Sequence, residues 1–332
     1  MPTADTDVAA TSRRWREELI LPRLRLISDN DYCGDPDGVV QAAHVLLAPT
    51  FDLRCLISSA VAPHHFEWTP DCPERGARVL RDVAALAGRA GVPIVTGTAQ
   101  PLASPSEPVS SPAVEAIIDE AMRHDDLPLF VTGGGGLTAI ASAYLLEPRI
   151  ADRLTLVWIG GEPYSRTLDD LHPDVRYRET NLHTDLVAAQ VVFGSPIPLW
   201  QIPQDVFSAL LVSRAEFLHR VATAGPLGAH VFDAVGARVD LLGPHLRMGE
   251  MYALGDSGTV AATLLWGAYG AEPWSCRWIT RPRPAVSDDG LYLDQPDGAP
   301  MRLFTHLDMR LLMEDFYARL ALHAAGTERI AP

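Results

Sequence analysis

The sequence predicts an α/β protein with a Rossmann-like, mostly parallel sheet and helices on both faces. Three observations predict it. Short apolar runs alternate with stretches of helical periodicity through the first half of the chain. Gly, Pro, Asn and Asp mark the changes between them. An acidic cluster follows the first apolar run, at the carboxyl end of a strand, where open parallel sheets bind their ligands.

Leu24–Ser28 reads as a buried strand, Val39–Leu47 as a helix and Leu53–Ala60 as the next strand. Arg75–Ala90 is helical, Val92–Val95 a strand, Ala113–Arg123 helical and Leu127–Thr132 a strand. Leu137–Leu146 continues as a helix and Leu154–Gly160 as a strand. Pro101–Pro112 is rich in Pro and Ser and reads as a mobile loop. Beyond Asp185 the pattern is more helical, with one short strand at Leu291–Leu293. Residues 1–20 form an expected N-terminal tail, and 21–330 a single domain without internal repeat or linker.

The segment Asp29-Asn30-Asp31-Tyr32-Cys33-Gly34-Asp35-Pro36-Asp37-Gly38 places four carboxylates within nine residues. Ionised together they repel by several kcal/mol unless a positive object sits among them, and a hard divalent cation suits oxygen donors. The plain alternative is a solvated acidic turn. An EF-hand fits worse, because Cys33 and Val40 fall at its fifth and twelfth positions.

A formal net charge of −15 over 332 residues argues against a nucleic-acid polymer or an anionic membrane surface as partner. A small-molecule substrate suits it better. No apolar run is long enough to span a membrane, and Met1 to Glu18 lacks a signal-peptide core, so a cytoplasmic protein is expected. Cys33, Cys55, Cys72 and Cys276 show neither zinc spacing nor a disulfide framework.

Other motifs are weaker alone. Gly133 to Gly136 follows a strand and opens a helix; Gly134, Gly136 and Ala139 match a dinucleotide-binding spacing. No acidic residue follows where that site needs one, so a tight turn exposing a backbone carbonyl is the better reading. Asp256 precedes an apolar helix, Val260–Trp266, and fits an N-cap. Asn181 fits a helix-flanking turn, and His64 with His65 a solvated loop pair.

Taken in order, these pieces resemble the calcium-dependent nucleoside hydrolases of the inosine-uridine-preferring type, from about Leu24 to the C-terminal helix. Asp29-x-Asp31 with Asp35-x-Asp37 is similar to the family's Asp-rich signature, with a loop two residues longer. Gly135-Gly136-Leu137-Thr138-Ala139-Ile140-Ala141 resembles its Gly-x-Leu-Thr-Asn-Ile-Ala helix start. Val157-Trp158-Ile159-Gly160-Gly161, Glu179-Thr180-Asn181, Ile197-Pro198-Leu199 with Pro203-x-Asp205-Val206, and Leu254-Gly255-Asp256 complete the match.

The resemblance implies the nucleoside hydrolase fold, Ca²⁺, a homodimer or homotetramer, and cleavage of a ribonucleoside's N-glycosidic bond. It casts Asp31 as general base and metal ligand, with Asp37, Asp256 and the carbonyl of Gly134 also on the metal. Asp37, His64, Glu179, Asn181 and Asp256 would bind substrate. Departures are specific. Gly38 replaces a metal-binding Asp, for which Asp35 is the expected substitute ligand. Gly255 replaces a leaving-group His, and Ala139 an Asn. They favour an unusual base or glycoside, or, as the alternative function, a non-catalytic metal-dependent nucleoside sensor; a dinucleotide-dependent oxidoreductase is the remaining rival.

Overall fold

Strand β1 (Leu24–Asn30) is buried along its whole length. Its one cation, Arg25, is neutralised in place: Nη1 donates to Glu120 Oε1 at 2.6 Å and Nε to the Leu127 carbonyl at 2.9 Å. The computed structural model describes residues 21–164, 178–243, 249–265 and 275–326. The expected tail, residues 1–20, lies outside the described residues.

β1 pairs in parallel with β2 (Phe51–Ser58) on one side and β4 (Leu129–Gly133) on the other. With β3 (Ile94–Thr96), β5 (Leu154–Ile159), β6 (Leu199–Ile202), β12 (Pro300–His306) and β9 (Arg277–Pro282), they form an eight-stranded sheet in the order β3-β2-β1-β4-β5-β6-β12-β9. Every neighbouring pair is parallel except β12–β9 at the edge. The mostly parallel α/β sheet read from the sequence is thus present. Its far side, β6, β12 and β9, comes from a region whose pattern reads as mainly helical. β9 is largely exposed, so its sequence carries no buried apolar run to betray it.

The sheet separates two cores. Leu24 and Leu26 pack into one with α1 (Asp37–Leu47), α2 (Cys72–Leu86) and α11 (Met309–Ala324). Ile27 turns to the other with α3 (Pro112–Met122), α4 (Thr138–Leu146) and α6 (Leu186–Gly194). Two-faced burial is what makes parallel strands read as continuous apolar runs. The remaining helices named below are α5 (Thr180–Thr184), α7 (Gln204–Phe207), α9 (Gly225–Leu242) and α10 (Ser257–Leu264). The Pro- and Ser-rich segment is tied down rather than loose: Leu102 N donates to Asp185 Oδ2 at 2.8 Å, and Val109 N to Ser142 Oγ at 3.2 Å.

Register brings the candidate residues together. Asp29 of β1 lies opposite Gly133 of β4, and Gly133 opposite Trp158 of β5. The acidic loop, the glycine turn and the Gly160-Gly161 turn therefore open at one end of the sheet, the carboxyl end.

Candidate active site

Asp29 and Asn30 are the last residues of β1, and Asp31 follows directly. Asp29, Asp31, Asp37 and Asp256 are all buried. Burial pushes the carboxyls of Asp31, Asp37 and Asp256 well above the usual range, and neighbouring carboxylates push them further. Burial also raises Asp29, to about 7, opposed by the Ser59 hydroxyl that donates to its Oδ1 at 2.5 Å.

Asp256 holds the N-cap position of α10, yet its side chain caps nothing. Its Oδ2 instead accepts from Asn30 Nδ2 at 2.7 Å, while its backbone N–H donates to Asp37 Oδ2 at 3.1 Å. That pairing spans 226 residues of sequence and joins the end of β1 to the start of α10. The plain N-cap reading fails for Asp256.

Glu179 is the N-cap of a short helix. Its carboxylate accepts from the backbone N–H groups of Gly161 at 2.6 Å, Asn181 at 2.9 Å and Leu182 at 2.7 Å, fixing the start of α5. Burial raises its pKa to about 7 against these donors. Gly161 reaches that geometry with φ of +92°, a conformation a side chain rarely adopts. Asn181 donates from Nδ2 to the Ile159 carbonyl at 3.1 Å, at the end of β5.

Gly134 approaches closely: a Cβ there would lie within 3.0 Å of the Asn30 side chain, and its N–H donates to the Asp29 carbonyl at 2.9 Å. A Cβ on Gly135 would sit 3.5 Å from Asp31 Cβ. The glycine run thus lets β4 pass tightly over the acidic residues.

Asp35 stands apart. It is about half exposed; Oδ1 accepts from the Tyr252 hydroxyl at 2.6 Å, and Oδ2 lies 3.8 Å from Arg238 Nε. A Cβ on Gly38 would meet Asn30 Nδ2 at 3.2 Å and Asp256 Oδ2 at 3.2 Å, so the Asn30 amide, not Asp35, lies beside position 38. Arg238 of α9 also pairs with Glu67, on the loop that carries His64. His64 is exposed and lines a cavity of about 460 Å³ with Pro101, Leu102, His183, Thr184 and Asp185. Thr184 backs that cavity onto the glycine turn, since a Cβ on Gly136 would meet its side chain at 3.0 Å or less.

Asn30, Arg238 and Glu67 belong to the site and were not singled out in the sequence. Asn30 had a signal, an Asn between two Asp at a strand end; the two others were brought in by folding alone.

The donor set fits a hard divalent cation: buried carboxylate oxygens, raised by burial and mutual repulsion, with one neutral amide beside them. Among the described residues no three His, Cys, Asp or Glu side chains already converge at metal-binding geometry.

Comparison with known proteins establishes the kinship of the chain. The sequence profile described as "Inosine-uridine preferring nucleoside hydrolase" matches residues 72–277, a span holding Gly134, Glu179, Asn181 and Asp256 but not the acidic cluster. Curated proteins of that description are similar in sequence: one from Leishmania major is 30% identical over 166 residues, 43% of this chain and 51% of its own. One from Crithidia fasciculata is 33% identical over 153 residues, 38% of this chain and 46% of its own. The chain spans about half the length of the curated relatives it matches. Among solved structures, a plant nucleoside hydrolase superposes with a TM-score of 0.67 at 15% identity, covering 90% of this chain and 99% of its own. A purine-preferring ribonucleoside hydrolase from Gardnerella vaginalis gives 0.66 at 20% identity, with the same coverage. Those structural likenesses show the fold, and the profile match over most of the sequence shows the kinship: the chain belongs to the inosine-uridine preferring nucleoside hydrolase family.

Proposed function

We propose that the protein hydrolyses the N-glycosidic bond of a ribonucleoside or a related glycoside, with Ca²⁺ at the acidic cluster. The observation that carries this reading is the gathering of Asp29, Asp31, Asp37 and Asp256 in a buried, uncompensated group at the carboxyl end of the sheet. Such a group is costly to fold unless a cation or a cationic transition state repays it.

Asp31, Asp37, Asp256 and the Gly134 carbonyl are the proposed metal ligands. Asp35 joins them only by giving up Tyr252 and Arg238. The bound ion would supply Lewis acidity that makes a water easier to deprotonate.

Asp31 takes the proton of the attacking water as that water's oxygen bonds to C1′. The C1′–N bond breaks with its electron pair going to the base. Positive charge builds on the sugar, and the surrounding carboxylates stabilise it. Asp37 and Asp256 accept from ribose hydroxyls, and Asn181, Glu179 and His64 complete the sugar contacts. Glu179 does so while holding three backbone amides, so its part is to keep Asn181 in place.

A homo-oligomer and a cytoplasmic setting belong to this reading.

The test is ribose release from a nucleoside panel with and without EGTA, beside Asp31→Asn. Chelator-sensitive release that vanishes in the variant supports the reading. Calcium binding by calorimetry without release from any glycoside replaces it with a nucleoside sensor.

A further inference from the structure

Cleaving an ordinary N-glycosidic bond leaves negative charge on the departing nitrogen unless a nearby group gives it a proton, a contribution of about 100-fold or more. The groups around this site are poorly placed to give one. Position 255, next to Asp256, has no side chain. A Cβ there would lie 3.4 Å from Asp37 Oδ2 and 2.9 Å from Phe207 Cδ2, so the ring of Phe207 from α7 takes that space. This wall is hydrocarbon.

Among the described residues the other candidate donors have partners of their own. The Tyr252 hydroxyl donates to Asp35 at 2.6 Å. His65 accepts from the Glu67 backbone at 3.3 Å, its Nδ1 lies 3.8 Å from Glu67 Oε2, and it also faces Arg238, His64 and Asp35. His183 lies 3.7 Å from Glu162 and faces Arg178, His64 and Asp289. Burial holds both imidazoles below their usual value and so disfavours their protonated form. His64 is assigned to the ribose. Asp35 and Glu67 both pair with the guanidinium of Arg238.

A site that surrounds the sugar with carboxylates and lines the leaving side with carbon suits a base that needs no proton to depart. We propose that the preferred substrate is a ribonucleoside whose base carries a fixed positive charge, of the N-ribosylpyridinium type, packed against Phe207. The proposal rests on the hydrolase reading above. When the C1′–N bond breaks, the bonding pair neutralises the base's charge and the base leaves as a neutral molecule. The water's oxygen bonds to C1′ and its proton goes to Asp31, so charge and atoms balance without a further reactant.

The test compares kcat/KM of the calcium-loaded protein on an N-ribosylpyridinium nucleoside, on inosine and uridine, and on p-nitrophenyl riboside, whose leaving group also needs no proton. The expected result is cleavage of both activated substrates, with the pyridinium preferred over inosine and uridine by about 100-fold, the worth of one general acid. A preference below about tenfold overturns the proposal. Cleavage of p-nitrophenyl riboside without cleavage of the pyridinium overturns it while sparing the hydrolase reading. Cleavage of none of the four overturns the hydrolase reading itself. The paired variant F207A/G255H, checked for calcium binding, places an imidazole where the ring stood. It should narrow the preference by raising inosine cleavage about tenfold or more, and an unchanged inosine rate with the preference intact refutes the role given to Phe207.

Discussion

Asp31 and Asp35 lie four residues apart in one loop and meet opposite fates. Asp31 is buried among carboxylates that raise its pKa, whereas Asp35 is half exposed and held by Tyr252 and Arg238. Asp31→Asn should therefore lower kcat by about 1000-fold or more, the scale lost with a catalytic base, while circular dichroism shows an intact fold. Asp35→Ala should leave the calcium dissociation constant within about threefold by calorimetry, since a direct carboxylate ligand costs tenfold or more. A tenfold loss would return Asp35 to the ligand set in place of the missing Asp at 38. Asn30→Asp should destabilise the calcium-free protein, because it removes the donor to Asp256 and adds a carboxylate to an uncompensated group. Urea unfolding with and without calcium separates that electrostatic cost from a packing defect.

At the scale of the element, α5 shows how a five-residue helix is held. Its N-cap, Glu179, satisfies the free N–H groups of Asn181 and Leu182 and reaches back to Gly161. Glu179→Ala leaves buried donors unmet and should cost about 2 kcal/mol, read as a lower midpoint in urea. The same variant should raise KM by displacing Asn181. Asp256 shows the reverse use of a cap position: α10 starts without a side-chain cap, and the carboxylate is spent on the site. Both residues hold N-cap positions. The partner across the fold differs: Asn30 for the Asp256 carboxylate and Gly161 for that of Glu179.

At the scale of the whole molecule, buried carboxylates with raised pKa couple stability to pH. Asp29 and Glu179 both sit near 7 when folded, against ordinary values of 3.8 and 4.5. A group whose folded pKa is raised binds more protons folded than unfolded, so its contribution is complete below the unfolded value and is lost as pH rises through the folded one. The calcium-free protein should accordingly lose stability from about pH 4 to pH 7, with the melting temperature falling by several degrees as EGTA-treated samples are titrated upward. Calcium should restore it at pH 7, where the carboxylates must ionise to bind the ion. A flat profile in EGTA would mean that the carboxylates are compensated by something other than a cation.

The sequence by itself determined the α/β class, the alternation from β1 to β5 and the concentration of Asp29, Asp31, Asp35 and Asp37 at a strand end. These rest on local periodicity and charge spacing, which survive in one dimension. It did not reveal β9 and β12, which pair late in the chain where one strand is largely exposed and gives no apolar signal. Nor did it separate Asp35 from its neighbours, or bring in Asn30, Arg238 and Phe207. Those assignments depend on contacts between segments up to 226 residues apart, and on whether a side chain meets a hydrogen-bond donor, a guanidinium or a ring. Burial and charge pairing are properties of the packed chain, and the tertiary structure alone decided them.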